Sequence, residues 1–365
     1  MTYDYSEIVP YLLHWYERNA RILRWREEPK PYYVWVSEIM LQQTRVEAVK
    51  SYFDRFLAEL PDIKALSETE EEKLLKLWEG LGYYNRVRNM QKAAQIVMEQ
   101  YGGELPADYE ALKKLPGIGS YTAGAIASIA FGLPEPSVDG NVLRVLKRVA
   151  ASFDDITKEK VKKELEADVR SIMPKDRPGD FNQSLMELGA TVCLPNGKPL
   201  CEQCPVMHLC KAFQQGAELQ IPVKPPKKER KLEERTVFVI KKECEHPLEI
   251  VLHKRPDQGL LSGMWEFPNT EGHLPEMQVQ KLFPEAEVKR LPDGKHIFSH
   301  VEWRLWCYEV KMKAAGSLPE QIEQGTSTFT LQQIKEQISL PSAFDCCKKY
   351  MDDEGEEHKK TRKKS

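Results

Sequence analysis

Apolar positions in residues 1–217 recur every three to four places, the period of amphipathic helices. Ile8, Leu12, Trp15 and Tyr16 share one stripe behind Ser6, a residue suited to capping. From Tyr33 to Val49 the pattern continues through Trp35, Ile39, Leu41 and Val46. It returns over 70–81, 87–100, 109–115, 142–150 and 158–173, while 120–131 is small and apolar, as a buried helix requires. Gly and Pro mark the joins at Gly102-Gly103, Pro116-Gly117, Gly132 to Pro136, and Pro178-Gly179.

The pattern changes near Glu218. Residues 218–235 are rich in Pro and charge and read as an exposed linker. Residues 236–241 and 248–254 are β-branched runs with a turn between them, 297–310 reads as a further strand, and 331–338 and 343–351 read as helices. The expected architecture is multidomain: an all-α domain over 1–217, a linker over 218–235, an α+β domain over 236–351, and a charged, disordered tail over 352–365. No repeat of fixed period is present.

Composition narrows the class. Of 365 residues, 41% are hydrophobic and 30% charged, which excludes a disordered chain. No run approaches the ~18 apolar residues of a membrane span. The first fifteen residues lack a basic start followed by an apolar stretch, which predicts an intracellular protein. The net charge of −3 gives no global footprint for nucleic acid. If DNA is the partner, local basic patches and backbone amides must supply the contacts.

Four constellations carry chemistry. Cys193, Cys201, Cys204 and Cys210 crowd into eighteen residues of a chain with eight cysteines in all. Their C-x7-C-x2-C-x5-C pattern suits a tetrahedral zinc or a [4Fe–4S] cluster, and spacing alone does not separate the two. Leu115-Pro116-Gly117-Ile118-Gly119 joins two helical segments. It is either an ordinary turn or a helix-hairpin-helix whose second helix offers free N–H groups to a phosphate. It is not a dinucleotide fingerprint, because Thr122 takes the third glycine position and no strand precedes it. In Val138-Asp139-Gly140-Asn141, Asp139 or Asn141 caps the next helix, or Asp139 sets a carboxylate beside a cationic sugar. Glu38 interrupts an apolar helix stretch. It is a surface or capping acid, or a desolvated one with the raised pKa of a general acid.

Together these motifs resemble the adenine DNA glycosylase (MutY) family, within the helix-hairpin-helix glycosylases. The resemblance runs from Leu23 to Cys210 and recurs near Gly259–Pro268 and Phe298–His300. It rests on Val34-Trp35-Val36-Ser37-Glu38-Ile39-Met40-Leu41-Gln42-Gln43-Thr44, Trp78-Glu79-Gly80-Leu81-Gly82-Tyr83-Tyr84, Leu115 to Gly124, Val138 to Val142, and the four cysteines. Two departures stand out. The family's usual Leu-Pro-Trp is Leu23-Arg24-Trp25-Arg26 here, and the first cysteine interval holds seven residues in place of six.

The resemblance implies excision of adenine from double-stranded DNA where it faces 8-oxoguanine or guanine. It implies that Glu38 protonates N7 of adenine and that Asp139 stays ionised beneath an oxocarbenium-like sugar, with Tyr121 and Asn141 orienting the pair. Trp25 and Arg26 match residues lining the adenine pocket. Gln43, Thr44, Leu81 and Tyr83 match residues near the space the flipped base leaves. Gly117, Gly119 and Ser120 match contacts to the DNA backbone. Tyr121 occupies the position where lyase-type relatives carry a nucleophilic lysine, which implies a monofunctional enzyme. Residues 236–351 resemble a Nudix-like domain without the pyrophosphatase signature, and Phe298-Ser299-His300 matches the segment that reads 8-oxoguanine. A [4Fe–4S] cluster, a monomeric state and a cytoplasmic place beside a bacterial-type chromosome complete the expectation. An endonuclease III-like lyase, a noncatalytic damage sensor and a zinc-stabilised adaptor are the competing readings.

Overall fold

Two separate hydrophobic frameworks organise the chain in a computed structural model that describes residues 3–226, 229–243 and 247–352. One unit comprises Met1–Thr69 and Asn85–Pro226, the other Glu70–Tyr84 and Lys227–Ser365.

The first unit is helical. Its elements are α1 (Ile8–Asn19), α2 (Arg24–Glu27), α3 (Pro31–Leu41), α4 (Val46–Glu59) and α5 (Ile63–Glu68). After α6 (Glu71–Leu77), which belongs to the second unit, come α7 (Asn85–Tyr101), α8 (Tyr109–Lys113), α9 (Ser120–Ala125), α10 (Gly140–Val149), α11 (Glu159–Ser171), α12 (Pro178–Thr191) and α13 (Lys211–Gln214). A π-helical turn, Ile126–Ala130, prolongs α9. Ile8 and Leu12 of α1 pack with Val142 and Leu146 of α10 and with Phe181, Leu185 and Leu188 of α12. Each such side chain contributes about 1.5–3 kcal/mol of burial.

Several local expectations change. The 33–49 pattern is two helices, not one. Arg86 Nη1 donates to the carbonyls of Ile39, Met40 and Gln42 at 2.7, 3.2 and 2.6 Å, satisfying the end of α3, and Gln43 turns left-handed at φ 60°. Ser6 does not cap α1; the flanking residue is Glu7, with no side-chain cap. Pro178-Gly179, expected as a join, opens α12, with Pro178 in the first turn where a missing N–H costs nothing.

The second unit is built on a mixed sheet. Its strands are β1 (Lys231–Glu243), β2 (Glu249–Lys254), β3 (Trp265–Glu266), β4 (Asn269–Glu271), β5 (Glu287–Arg290), β6 (Gly294–Ile297), β7 (Val301–Lys313) and β8 (Thr326–Thr330). The main order is β3-β2-β1-β7-β5, with β4 on β1, β6 on β7 and β8 on β2. β1 and β7 run parallel from Lys231↔Val301 to Glu243↔Lys313, and the other pairs are antiparallel. Val237 and Val239 face one layer with Trp303, Leu305 and Phe344, while Phe238 and Ile240 face the other with Val279, Phe283 and Tyr308. Helices α14 (Glu276–Leu282), α15 (Glu320–Glu323), α16 (Leu331–Glu336) and α17 (Asp345–Lys348) complete it.

Three boundaries move here as well. β1 begins at Lys231, so the segment read as linker to 235 is partly strand, recruited by pairing with β7. The 297–310 strand is a hairpin: β6 ends at Ile297, Phe298 N donates to Val301 O at 2.8 Å, and Phe298-Ser299-His300 form the turn. Residues 70–84 join this unit because Lys76 Nζ donates to the carbonyls of Ile334 and Ile338 (3.1 and 3.0 Å) and Glu79 Oε1 accepts from Leu340 N (3.1 Å). The charged tail beyond 352 lies outside the described residues.

Candidate active site

α3 is buried almost continuously from Tyr32 to Met40, and Glu38 lies in that run at 5% exposure. Desolvation pushes its carboxyl up to about 7 against the hydrogen bond from Tyr121; Asp139 adds to the rise and Arg26 opposes it. Tyr121 Oη donates to Glu38 Oε2. Tyr121 reaches this point because the 115–119 turn, with Gly117 left-handed at φ 78°, sends α9 back across α3. Gly117 and Gly119 are exposed at that turn, and Ser120 Oγ donates to Glu166 Oε1 at 2.9 Å.

Asp139 is the N-cap of α10. Its Oδ1 accepts from Asn141 N and Val142 N, both at 2.8 Å, and its Oδ2 accepts from Asn141 Nδ2 at 2.7 Å. Burial holds this carboxyl above its ordinary value on balance, with those three donors and the Arg144 guanidinium offsetting part of the rise. Asp139 is therefore a cap and also a wall of the cavity, so its two sequence readings are not exclusive. Arg144 fixes the neighbourhood: it donates to Asn141 Oδ1 (2.8 Å), Gly189 O (2.7 Å) and Cys193 O (2.8 Å).

One cavity of about 530 Å³ brings together Glu38, Tyr121, Asp139 and Asn141. Trp25, Arg26 and Thr44 line it too. Gln43, exposed at its left-handed turn, does not. The wall also includes Glu187 of α12, which the sequence reading missed. This fully buried acid accepts from Arg21 Nε and Nη2 (2.6 and 2.9 Å) and from Arg26 Nη2 (2.7 Å). Although burial would raise its carboxyl, the two guanidiniums hold it below the ordinary value. Its signal was an acid between Leu185 and Leu188 on a stripe opened by Pro178.

The second unit brings together another expected set. Tyr83, half exposed with a left-handed φ of 50°, lies with its hydroxyl 3.2 Å from Ser299 Oγ. Phe298 packs edge-on against Trp303 at 4.9 Å between ring centroids, while Ser299 and His300 are exposed. Leu81 is buried.

Cys193, Cys201, Cys204 and Cys210 all line one pocket, with Val145, Val149 and Leu188 behind them, and all four thiols are free. Arg148 Nη1 points at Cys193 Sγ from 3.2 Å, a donor suited to a thiolate ligand. The donor set is consistent with a metal cluster. Among the described residues, no helix is long and apolar enough to cross a membrane.

A buried acid and a helix-capping carboxylate share one cavity, which Tyr121 enters from the helix that follows the 115–119 turn, an arrangement that suits a DNA glycosylase of the base-excision class. Comparison with known proteins agrees. Residues 36–171 match the HhH-GPD superfamily base excision DNA repair protein family, and 236–349 match the NUDIX domain family. Adenine DNA glycosylase of Mus musculus is 38% identical over 363 residues, spanning 83% of this chain and 70% of its own. The enzyme of that name from Buchnera aphidicola subsp. Schizaphis graminum is 33% identical over 302 residues, 82% of this chain and 85% of its own. The chain belongs to the adenine DNA glycosylase family and is a hydrolase of N-glycosyl bonds. Among solved structures, a thermostable thymine-DNA glycosylase superposes with a TM-score of 0.52 at 28% identity, covering 57% of this chain and 96% of its own. A trapped endonuclease III–DNA covalent intermediate superposes with a TM-score of 0.50 at 26% identity, covering 59% and 99%.

Proposed function

We propose that this enzyme removes adenine facing 8-oxoguanine or guanine in double-stranded DNA, as a monomer at a chromosome in the cytoplasm, and leaves an abasic site. The observation that carries the reading is the contrast between Glu38 and Asp139 within one cavity. An N-glycosidic bond breaks readily when the base leaves neutral and the sugar's positive charge is met by an anion. Glu38, raised to about 7, holds a proton near neutral pH and gives it to adenine N7. Positioned acid catalysis of this kind contributes ~10²–10⁴ in rate. Asp139, with three N–H donors on its oxygens, keeps the charge that the oxocarbenium-like sugar needs. Asn141 and Tyr121 orient the two carboxyls. Water completes the hydrolysis, and Tyr121, lacking an amine, forms no Schiff base.

The adenine enters the cavity by flipping, at a cost of a few kcal/mol that a mispair lowers. Trp25 and Arg26 hold it. Gln43, Thr44, Leu81 and Tyr83 serve the vacated duplex and the facing base; the left-handed backbones of Gln43 and Tyr83 support this, since such conformations concentrate where function demands them. Gly117, Gly119 and Ser120 meet the DNA backbone through N–H groups. Phe298, Ser299 and His300 form an exposed turn, and Ser299 can accept the N7–H that distinguishes 8-oxoguanine from guanine.

Cys193, Cys201, Cys204 and Cys210 hold a [4Fe–4S] cluster in this reading, which ties their loop to the helical core.

A glycosylase assay on duplexes with A opposite 8-oxoguanine, G or T tests the proposal. Free adenine should appear from the first two, with strand breaks only after alkali. Equal release opposite T, or strand breaks without alkali, would count against it.

A further inference from the structure

Three more cysteines meet inside the second unit. Cys307 lies on β7, and Cys346 and Cys347 are neighbours on α17. Their sulfurs are 3.9 Å (Cys307–Cys346), 3.7 Å (Cys346–Cys347) and 3.2 Å (Cys347–Cys307) apart. Among the described residues this is the one group of three or more ligand atoms lying mutually within 4.8 Å. Cys307 and Cys347 are buried, Cys346 is partly exposed, and none is in a disulfide.

Two observations set this group apart from chance core thiols. The first is spacing. A tetrahedral ion with ~2.3 Å metal–sulfur bonds needs sulfurs about 3.8 Å apart. The distances of 3.9 and 3.7 Å bracket that value, and only the 3.2 Å pair must open. The second is the room made for Cys346. Gly294 of β6 pairs with Leu305, two residues before Cys307. A Cβ on Gly294 would lie 2.4 Å from Cys346 Sγ and 2.8 Å from Cys346 Cβ. The backbone of Gly294 is not left-handed, so its glycine answers to space, and that space is what turns Cys346 toward its partners.

We propose that Cys307, Cys346 and Cys347 bind one thiophilic divalent ion of the zinc class, with a water in the fourth position on the Cys346 side. Binding replaces three S–H bonds by three metal–sulfur bonds, sends three protons to solvent, and leaves a complex of net charge −1. The soft donor set selects zinc-like ions over magnesium or calcium. The ion ties α17 to β7 beneath β6, the strand pair whose connecting turn carries Ser299. Its role is therefore to brace that turn, and the site stands whether or not the 8-oxoguanine reading does.

The test is metal analysis of the full-length protein, reconstituted with iron and dialysed. The expected content is about one zinc per chain besides the iron, falling below about a tenth in Cys346→Ala and Cys347→Ala and unchanged in Cys244→Ser. Cobalt(II) added to zinc-free protein should give a thiolate-to-cobalt charge-transfer band that the same two variants lose. Wild-type protein that holds no zinc and takes up no cobalt overturns the proposal. So does metal that persists in Cys346→Ala, or a Cys307–Cys347 disulfide found by mass spectrometry in protein isolated under nitrogen. If Cys347→Ala does not fold, the more exposed Cys346→Ala and the wild-type metal content decide.

Discussion

Replacing Glu38 with glutamine should abolish excision and yet stabilise the helical unit above neutral pH. Burial raises the Glu38 carboxyl from its ordinary 4.5 to about 7. The folded state therefore binds more protons than the unfolded state between these values, and wild-type stability falls as pH climbs through that window. At 1.36 kcal/mol per pH unit, the loss is below about 1 kcal/mol at pH 5 and reaches a plateau of about 3 kcal/mol by pH 8. The glutamine side chain is neutral throughout, and its amide oxygen can still accept from the Tyr121 hydroxyl. Any change in packing acts equally at both pH values, so the diagnostic is the difference between them, about 2–3 kcal/mol in favour of the variant. Urea unfolding followed by tryptophan fluorescence at pH 5 and pH 8 measures it. The wild-type single-turnover rate should meanwhile fall about tenfold per pH unit above 7, as the acid form disappears. A stability difference between Glu38→Gln and wild type that is flat with pH would refute the claim that Glu38 is a desolvated, proton-holding acid.

The remaining predictions concern neighbouring groups. Asp139→Asn should abolish excision while keeping mispair affinity and holding stability within ~0.5 kcal/mol, because Asn caps a helix as well as Asp; a gel-shift titration beside single-turnover kinetics checks both, and retained excision would remove Asp139 from the chemistry. Glu187→Ala should cost about 3–5 kcal/mol in urea unfolding, since it strands Arg21 and Arg26 against a buried site, and a cost under 1 kcal/mol would contradict the ion pair. Ser299→Ala should leave excision opposite guanine intact and lower the preference for 8-oxoguanine by about fivefold, one hydrogen bond of ~1 kcal/mol; competition between the two duplexes reads it, and an unchanged preference excludes Ser299.

How much of this was legible depends on the range of the forces involved. Glu38 was visible because an acid inside Trp35-Val36-Ser37-Glu38-Ile39-Met40 has few ways to avoid burial. Asp139 was visible because an aspartate before a helical stripe is a local cap signal. The split of α3 from α4 was not visible, because it depends on Arg86, over forty residues on, taking the last carbonyls of α3. The placement of 70–84 was hidden for the same reason: Lys76 and Glu79 find their partners at Ile334, Ile338 and Leu340. The 298–300 turn carries no glycine or proline, so alternation ran through it unbroken. α12 was a misreading of a present signal, since Pro178-Gly179 serves equally as a break and as a first turn. Losing α12 also lost Glu187, the acid that anchors Arg26 in the cavity wall.

The difference between the two carboxyls follows from where each sits on its helix. Glu38 is in the interior of α3, where the backbone N–H groups are already spent on the carbonyls four residues back. Burial there leaves one hydroxyl, from Tyr121, to answer its charge, and desolvation wins. Asp139 lines the same cavity but stands at the N-cap of α10, where the first N–H groups have no helical partner. Two backbone amides and the Asn141 side chain answer its charge, and the positive end of the helix adds to them. Burial raises both carboxyls, but the capping acid has three N–H donors on its anionic form where the mid-helix acid has one hydroxyl, so Glu38 is the one suited to hold a proton and Asp139 the one suited to carry charge. On this argument the proposed division of labour is set by backbone geometry, and adding a donor beside Glu38 should drive its carboxyl down toward the ordinary range and cost activity at neutral pH.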